Sequence, residues 1–201
     1  MLDKYIVPIL KPPLRAIAVP LHARGVSPDT LTIVGFFLGV ATIPAHALGF
    51  PLTAMVLLLL NRFLDGLDGE LARLGKPTDA GGFLDITLDF IFYAIFPLGF
   101  AFSDPAQNAL PAALLIASFV GTGASFLAFA SLAEKRGLNN PDFGYKGLYY
   151  LNGFAEGTET IIFFALMCAY PDLFPLLAGI FTVVCLITAA NRVVFGYRTL
   201  R

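Results

Sequence analysis

The chain has 201 residues, of which 57% are hydrophobic and only 13% charged, with a mean hydropathy of +0.78. A water-soluble domain carries about 25% charged residues because its surface must be wetted, so lipid must cover much of this one. The formal charge of −1, with no basic tail or stripe, argues against a nucleic-acid partner.

In chain order, Leu2, Tyr5, Ile6, Ile9, Leu14, Ile17 and Leu21 fall near helical spacing, interrupted by Lys4, Lys11, Arg15 and by Pro8, Pro12 and Pro13. A signal peptide needs a continuous apolar run and a small-residue cleavage site, and neither is here. An amphipathic helix lying in the plane of the membrane interface fits better. Six apolar stretches follow, near Asp29–Leu48, Pro51–Leu74, Gly81–Ser103, Leu110–Ala133, Gly153–Ala169 and Phe174–Val194. A bilayer crossing needs about 20 such residues. Gly49, Pro51, Gly75, Pro77, Pro105, Pro141, Pro171 and Pro175 punctuate their ends. The fold class expected is therefore all-α: one membrane domain over residues 1–201, with six transmembrane helices. Cys168 and Cys185, inside apolar runs, read as small packing residues.

With six spans, the connecting segments alternate sides of the bilayer. One side receives the N-terminal segment, the loops after spans two and four, and the C-terminus; these, with the adjoining helix ends, hold all 13 Lys and Arg. The opposite turns carry Asp104 and Asp172 and no basic residue. Positive residues stay cytoplasmic, so both termini are expected in the cytosol.

Spans two and three contain what a membrane helix avoids. Span two ends Asn61-Arg62-Phe63-Leu64-Asp65-Gly66-Leu67-Asp68-Gly69-Glu70-Leu71-Ala72-Arg73, and span three opens Gly81-Gly82-Phe83-Leu84-Asp85-Ile86-Thr87-Leu88-Asp89. Ionisable residues inside a membrane are costly unless paired, and mark function. Helical periodicity puts Asn61, Asp65, Asp68 and Ala72 on one face, and Gly81, Asp85 and Asp89 on another. A rise of about 1.5 Å per residue gives the four carboxylates overlapping depths, about 6–13 Å from their cytosolic helix ends. A tight antiparallel pair would aim all four at one point. Four like charges in low dielectric repel strongly unless cations neutralise them. Oxygen ligands without His or Cys select Mg²⁺ or Mn²⁺, and two such ions suit displacement at phosphorus. Gly66, Gly69, Gly81 and Gly82 clear side chains from the same region, so a nucleotide can approach the backbone. Arg73 has the planar fork that matches diphosphate oxygens.

These residues resemble the signature of the CDP-alcohol phosphotransferases, D-x2-D-G-x2-A-R-x7–8-G-x3-D-x3-D. Here it reads Asp65, Asp68, Gly69, Ala72, Arg73, then Gly81, Asp85 and Asp89, with seven residues between Arg73 and Gly81. The basic N-terminal segment, the six spans and a Ser-Pro-Asp-x-Leu-Thr start to span one (Ser27 to Thr32) are also similar to that family, over nearly the whole chain. The resemblance, to a bacterial inner-membrane branch, implies the following. Asp65, Asp68 and Asp85 hold two divalent ions, Mg²⁺ or Mn²⁺. Asp89 contacts metal and takes the acceptor proton as general base. Gly66, Gly69, Ala72, Arg73 and Gly81 form the CDP pocket. A phosphatidyl group passes from CDP-diacylglycerol to a small alcohol or polyol phosphate, CMP leaves, and the protein is a homodimer. The reverse pairing, a soluble CDP-alcohol with diacylglycerol as acceptor, stays open within the family.

The acceptor end is less determined. Lys135, Arg136 and Arg192 flank the same cytosolic cavity, either as ligands of an acceptor phosphate or as ordinary positive-inside anchors. Glu156 and Glu159, one turn apart, suit recognition of hydroxyls or an amine, or pairing with Arg192 or Arg136. Glu70 and Asp79 lie off the metal-facing stripe and are expected to be solvated or paired near the loop. His22 and His46 belong near opposite membrane faces, so a shared metal site is not expected. The Phe residues are expected against lipid and neighbouring helices, and Tyr149 and Tyr150 as interfacial anchors. A cation or proton transporter is the rival from another class, since intramembrane carboxylates also mark ion pathways. Acids clustered near one surface, beside a Gly-rich and Arg-containing motif, do not line a path across a membrane.

Overall fold

The structure, a computed structural model, describes residues 2–138 and 153–201. Pro141, Lys146, Tyr149, Tyr150 and Asn152 lie outside the described residues. Every regular element among those described is helical. The order is α1 Asp3–Ala23, α2 Pro28–Val40, α3 Thr42–Ala47, α4 Pro51–Leu74, α5 Asp79–Ile95, α6 Leu98–Ser103, α7 Pro105–Lys135, α8 Gly157–Ala169 and α9 Phe174–Leu200. A 3-10 turn at Pro171–Leu173 precedes α9.

Local chemistry sets the helix starts. Proline occupies the first turn of α2, α4, α7 and α9, where its missing N–H costs nothing. Thr78 caps α5 by accepting from the Gly81 N–H at 3.0 Å, and Asp104 caps α7 by accepting from the Gln107 N–H at 3.2 Å. α1 is continuous although Pro8, Pro12, Pro13 and Pro20 lie inside it. All four occupy exposed positions, where their rings meet no packed neighbour.

Two expected spans are broken in the middle. The first divides at Ala41 into α2 and α3, and the third at Phe96–Pro97 into α5 and α6. Pro44 cannot donate to the Val40 carbonyl, nor Pro97 to that of Tyr93, so each helix loses its ladder there. Four stretches are long and apolar enough to cross a membrane: Pro28–Ala47, Asp79–Ser103, Pro105–Lys135 and Pro171–Leu200. α4 has the length, with 24 residues, but carries Arg62, Asp65, Asp68, Glu70 and Arg73. α8 has 13 residues, short of the roughly 20 that a perpendicular crossing takes.

The packing differs from the expected tight α4–α5 pair. α2 packs along both α4 and α5, and those two make little close backbone contact with each other. Gly35 and Gly39 on α2 make the approach possible. A Cβ on Gly39 would stand 2.7 Å from the Phe92 ring of α5 and 3.0 Å from Asn61 Nδ2 of α4. Asn61 Nδ2 donates to the Gly35 carbonyl at 2.8 Å, fixing the α2–α4 register. Around this trio, α1 crosses α4, α7 lies against α9, α5 and α6, and α8 bridges α4 and α9. The core on the far side is aromatic. Phe96 stacks on Phe164 at 3.9 Å and Phe100 on Phe174 at 4.2 Å, with Phe92, Phe119 and Phe181 in the same cluster. Both cysteines are buried and free, and Cys168 Sγ lies 3.3 Å from His46 Nε2.

Candidate active site

The i, i+3 spacing on α4 turns Asp65 and Asp68 toward Asp85 on α5. One carboxylate oxygen from each of the three lies within 4.8 Å of the others. Asp89, one turn further along α5, lines the same pocket, together with Thr32, Gly35 and Phe36 of α2 and with Asn61 and Arg62 of α4. Asp68 is buried at 4% exposure, whereas the side chains of Asp65 and Asp89 are 33% and 28% exposed. The pocket is therefore anchored at Asp68 and open at the other two.

Two neutral or cationic groups from the pocket wall orient these acids. Thr32 Oγ1 donates to Asp68 Oδ2. Arg62 is held at every face: Nε donates to Asn61 Oδ1 at 2.7 Å, Nη1 to the Tyr93 hydroxyl at 3.0 Å, and Nη2 to Asp89 Oδ1 at 2.8 Å. Its Nη1 also lies 3.5 Å from Asp65 Oδ2, and its guanidinium carbon sits 5.2 Å from the Phe92 ring centroid.

The residues fit a hard divalent cation. Among the described residues, Arg62 is the one positive side chain lining the pocket against four aspartates, and a surplus of enclosed negative charge calls for cations. The donors that converge are all carboxylate oxygens, the set that Mg²⁺ and Mn²⁺ prefer.

A family model described as CDP-alcohol phosphatidyltransferase matches residues 25–190, which include the whole of this pocket. The chain belongs to the CDP-alcohol phosphatidyltransferase family. It is a phosphotransferase enzyme, as its signature residues led us to expect. The inner membrane protein YnjF of Escherichia coli K12 is 52% identical over 201 residues, covering 100% of this chain and 98% of that one. An archaetidylinositol phosphate synthase of Pyrococcus horikoshii is 36% identical over 121 residues, 60% of this chain and 64% of its own length. The fold is similar to a crystal structure of the phosphatidylinositol phosphate synthase PgsA1 of Mycobacterium tuberculosis with CDP-DAG bound. That match has a TM-score of 0.73 at 21% identity, over 92% of this chain and 93% of that one.

In this CDP-alcohol phosphatidyltransferase the remaining motif residues have distinct surroundings. Arg73 is 42% exposed and lies against Gly69, where a Cβ would stand 3.3 Å from Nη2. It is held by Glu70, which accepts from Arg73 Nε at 3.1 Å and from Nη2 at 2.7 Å. Glu70 is 1% exposed, with Arg15 of α1 at 4.0 Å from its other oxygen, so it is paired and not solvated. Asp79 is exposed and Ala72 half-buried. Gly66 differs from expectation: its missing side chain admits Leu14 of α1, which would stand 2.9 Å from a Cβ. It serves helix packing in this structure. Gly81 faces Asp29 and the capping Thr78.

None of the five residues considered for the acceptor lines the carboxylate pocket. Lys135 and Arg136 are exposed at the end of α7, and Arg136 donates to the Leu200 carbonyl. Arg192 is buried in α9, donating to the Thr122 carbonyl at 3.2 Å and lying 5.4 Å over the Phe126 ring. Glu156 is buried just ahead of α8 and accepts from the Gly153 N–H at 3.2 Å. Glu159 accepts from the Leu2 N–H at 2.8 Å. With Asp3, whose Oδ1 accepts from the Thr158 N–H at 2.9 Å, the two glutamates form a second acidic group.

The roles of Thr32, Arg62 and Tyr93 went unassigned in the sequence. For Arg62 a signal was present, because an arginine three residues before Asp65 inside an apolar helix must find an anion. For Thr32 and Tyr93 no spacing rule links them to acids on other helices or selects them from other hydroxyls.

Proposed function

We propose that the chain transfers a phosphatidyl group from CDP-diacylglycerol to the hydroxyl of a small polar alcohol, releasing CMP, at the cytosolic face of a bacterial inner membrane. The observation that carries this reading is the convergence of Asp65, Asp68 and Asp85 in a pocket whose charged donors are oxygen only. Those three, with an oxygen of Asp89, are the residues for two divalent ions, Mg²⁺ or Mn²⁺. Such ions supply charge stabilisation at the phosphoryl oxygens and at the departing phosphate.

The protein groups do the rest. Asp89 accepts the proton of the acceptor hydroxyl. The freed oxygen forms a bond to the phosphorus nearer the lipid, the bond from that phosphorus to the CMP oxygen breaks, and CMP leaves with the electron pair. Arg73 binds the diphosphate with its fork, and Gly69 gives the nucleotide room beside it. Ala72 and Gly81 complete the CDP-binding segment. The product name of the archaeal relative contains an inositol phosphate, which favours a polyol phosphate as the first acceptor to try. Lys135, Arg136 and Arg192 are the candidates for that phosphate, and Glu156 and Glu159 for hydroxyls.

The same reading takes residues 1–201 as one domain. α4 and α8 join the four long apolar stretches to make six spans, and α1 lies along the cytosolic interface. Both termini are cytosolic, as the one-sided distribution of basic residues supports. The enzyme works as a homodimer. The test is purified protein with labelled CDP-diacylglycerol and a panel of glycerol 3-phosphate, inositol phosphate, inositol, serine and choline, with products identified by mass. A new phospholipid with stoichiometric CMP is expected. Formation of lipid only from a CDP-alcohol and diacylglycerol would overturn the proposed direction.

A further inference from the structure

Arg62 lies deep in an apolar helix, and the structure commits each of its three nitrogens to a different neighbour. An anchor built only to neutralise buried acid would need one carboxylate. This guanidinium also takes up Asn61 Oδ1, itself tied through Nδ2 to the Gly35 backbone, and the Tyr93 hydroxyl. The side chain is 13% exposed and packs against the Phe92 and Tyr93 rings at 5.2 and 5.4 Å. Its position is therefore fixed by α2, α4 and α5 together.

We infer that Arg62 is a positioning residue for the transfer: it clamps Asp89 by Oδ1 and so presents Oδ2 to the acceptor hydroxyl. Oδ2 receives only a long 3.4 Å contact from the Tyr93 hydroxyl, which leaves it lone pairs for a proton or a metal ion. Tyr93 is the second half of the clamp, since its oxygen accepts from Arg62 while its O–H points to the same carboxylate. The fork geometry matters as well as the charge. A lysine at position 62 has the cation but cannot reach three partners in one plane. The inference rests on the proposed role of Asp89 as general base.

The test compares wild type with Arg62→Gln, Arg62→Lys, Tyr93→Phe and Asp89→Asn in detergent or nanodiscs. CMP release is followed with the first acceptor of the panel that reacts, or with water where none does. Mn²⁺ binding is read from the electron paramagnetic resonance of the free ion, and folding from the melting temperature. R62Q is expected to lower kcat about 100-fold, the range of a misplaced general base. Its donor KM should stay within about threefold, and its Mn²⁺ affinity should fall no further than that of D89N, because Asp65, Asp68 and Asp85 are still in place. R62K should recover part of the loss, about tenfold, and Y93F should cost about threefold in kcat alone. Wild-type kcat in both R62Q and Y93F would overturn the inference, as would losses in KM and Mn²⁺ binding that match the loss in kcat. Should R62Q fail to fold, R62K and Y93F decide by the same split. Full turnover by D89N would instead overturn the base assignment, whatever the Arg62 variants do.

Discussion

The hydroxyl of Thr32 donates to Oδ2 of Asp68, joining α2 to the acidic stripe of α4. The Pro28 carbonyl one turn back, 3.2 Å from the same oxygen, is the competing acceptor for its single hydrogen. Asp68 is the most enclosed of the converging acids, and Thr32 sets which of its oxygens is left for an ion. Groups that orient a metal ligand typically account for about tenfold in affinity or activity. Thr32→Val keeps the shape and removes the donor. Mn²⁺ affinity and CMP release should each fall about tenfold, measured by titration and initial rate, with little change in melting temperature.

Asp89 lines the pocket with its side chain 28% exposed, outside the trio whose oxygens converge. Asp89→Asn should abolish transfer while the protein still folds and Asp65, Asp68 and Asp85 still bind Mn²⁺. Turnover, melting temperature and metal titration on one preparation check all three parts.

Divalent ions should be an absolute requirement. Excess chelator is expected to stop CMP release, and Mg²⁺ or Mn²⁺ to restore it. Because ligand binding to the native state stabilises it, the ions should also raise the melting temperature, and Asp65→Asn should blunt that rise.

Glu70 ties the exposed guanidinium of Arg73 to the protein interior. Glu70→Gln keeps the volume but removes the charge that holds the fork. Hydrogen bonds to charged groups are worth about 1.5–3 kcal/mol, so the donor KM should rise about tenfold or more. A separate loss of about 1–3 kcal/mol in stability is expected from the altered buried site. Saturation curves with CDP-diacylglycerol and thermal melts read the two effects independently.

Gly39 is pressed between two helices, 2.7 Å in Cβ terms from the Phe92 ring. Gly39→Ala should cost about 1–3 kcal/mol by overpacking, seen as a lower melting temperature. Gly82, where a Cβ would meet nothing within 4 Å, is the matched position where Ala should be tolerated in stability.

Helical periodicity made the faces of α4 and α5 readable, because a membrane helix carrying Asp65, Asp68, Asp85 and Asp89 has few ways to shelter them. It could not reveal that α2 packs against both of these helices. That arrangement depends on close backbone approach at Gly35 and Gly39, which leaves no hydrophobic pattern. The breaks at Ala41 and Phe96 had a visible cause in Pro44 and Pro97, yet hydropathy averaged across both. A helix was expected at the N-terminus in spite of its prolines, and α1 does run on through all four, each at an exposed position. Glu70 could not be resolved between solvent and a partner, because its burial comes from α1 folding over α4, a contact between segments about fifty residues apart.

The packing of α2 against both acid-bearing helices also has a dimensional consequence. α4 and α5 share one neighbour, and two glycines on it set how near each can come, much as a hinge pin sets the two leaves it joins. The walls that carry the acids are thus gauged by residues that have no side chain to offer a ligand.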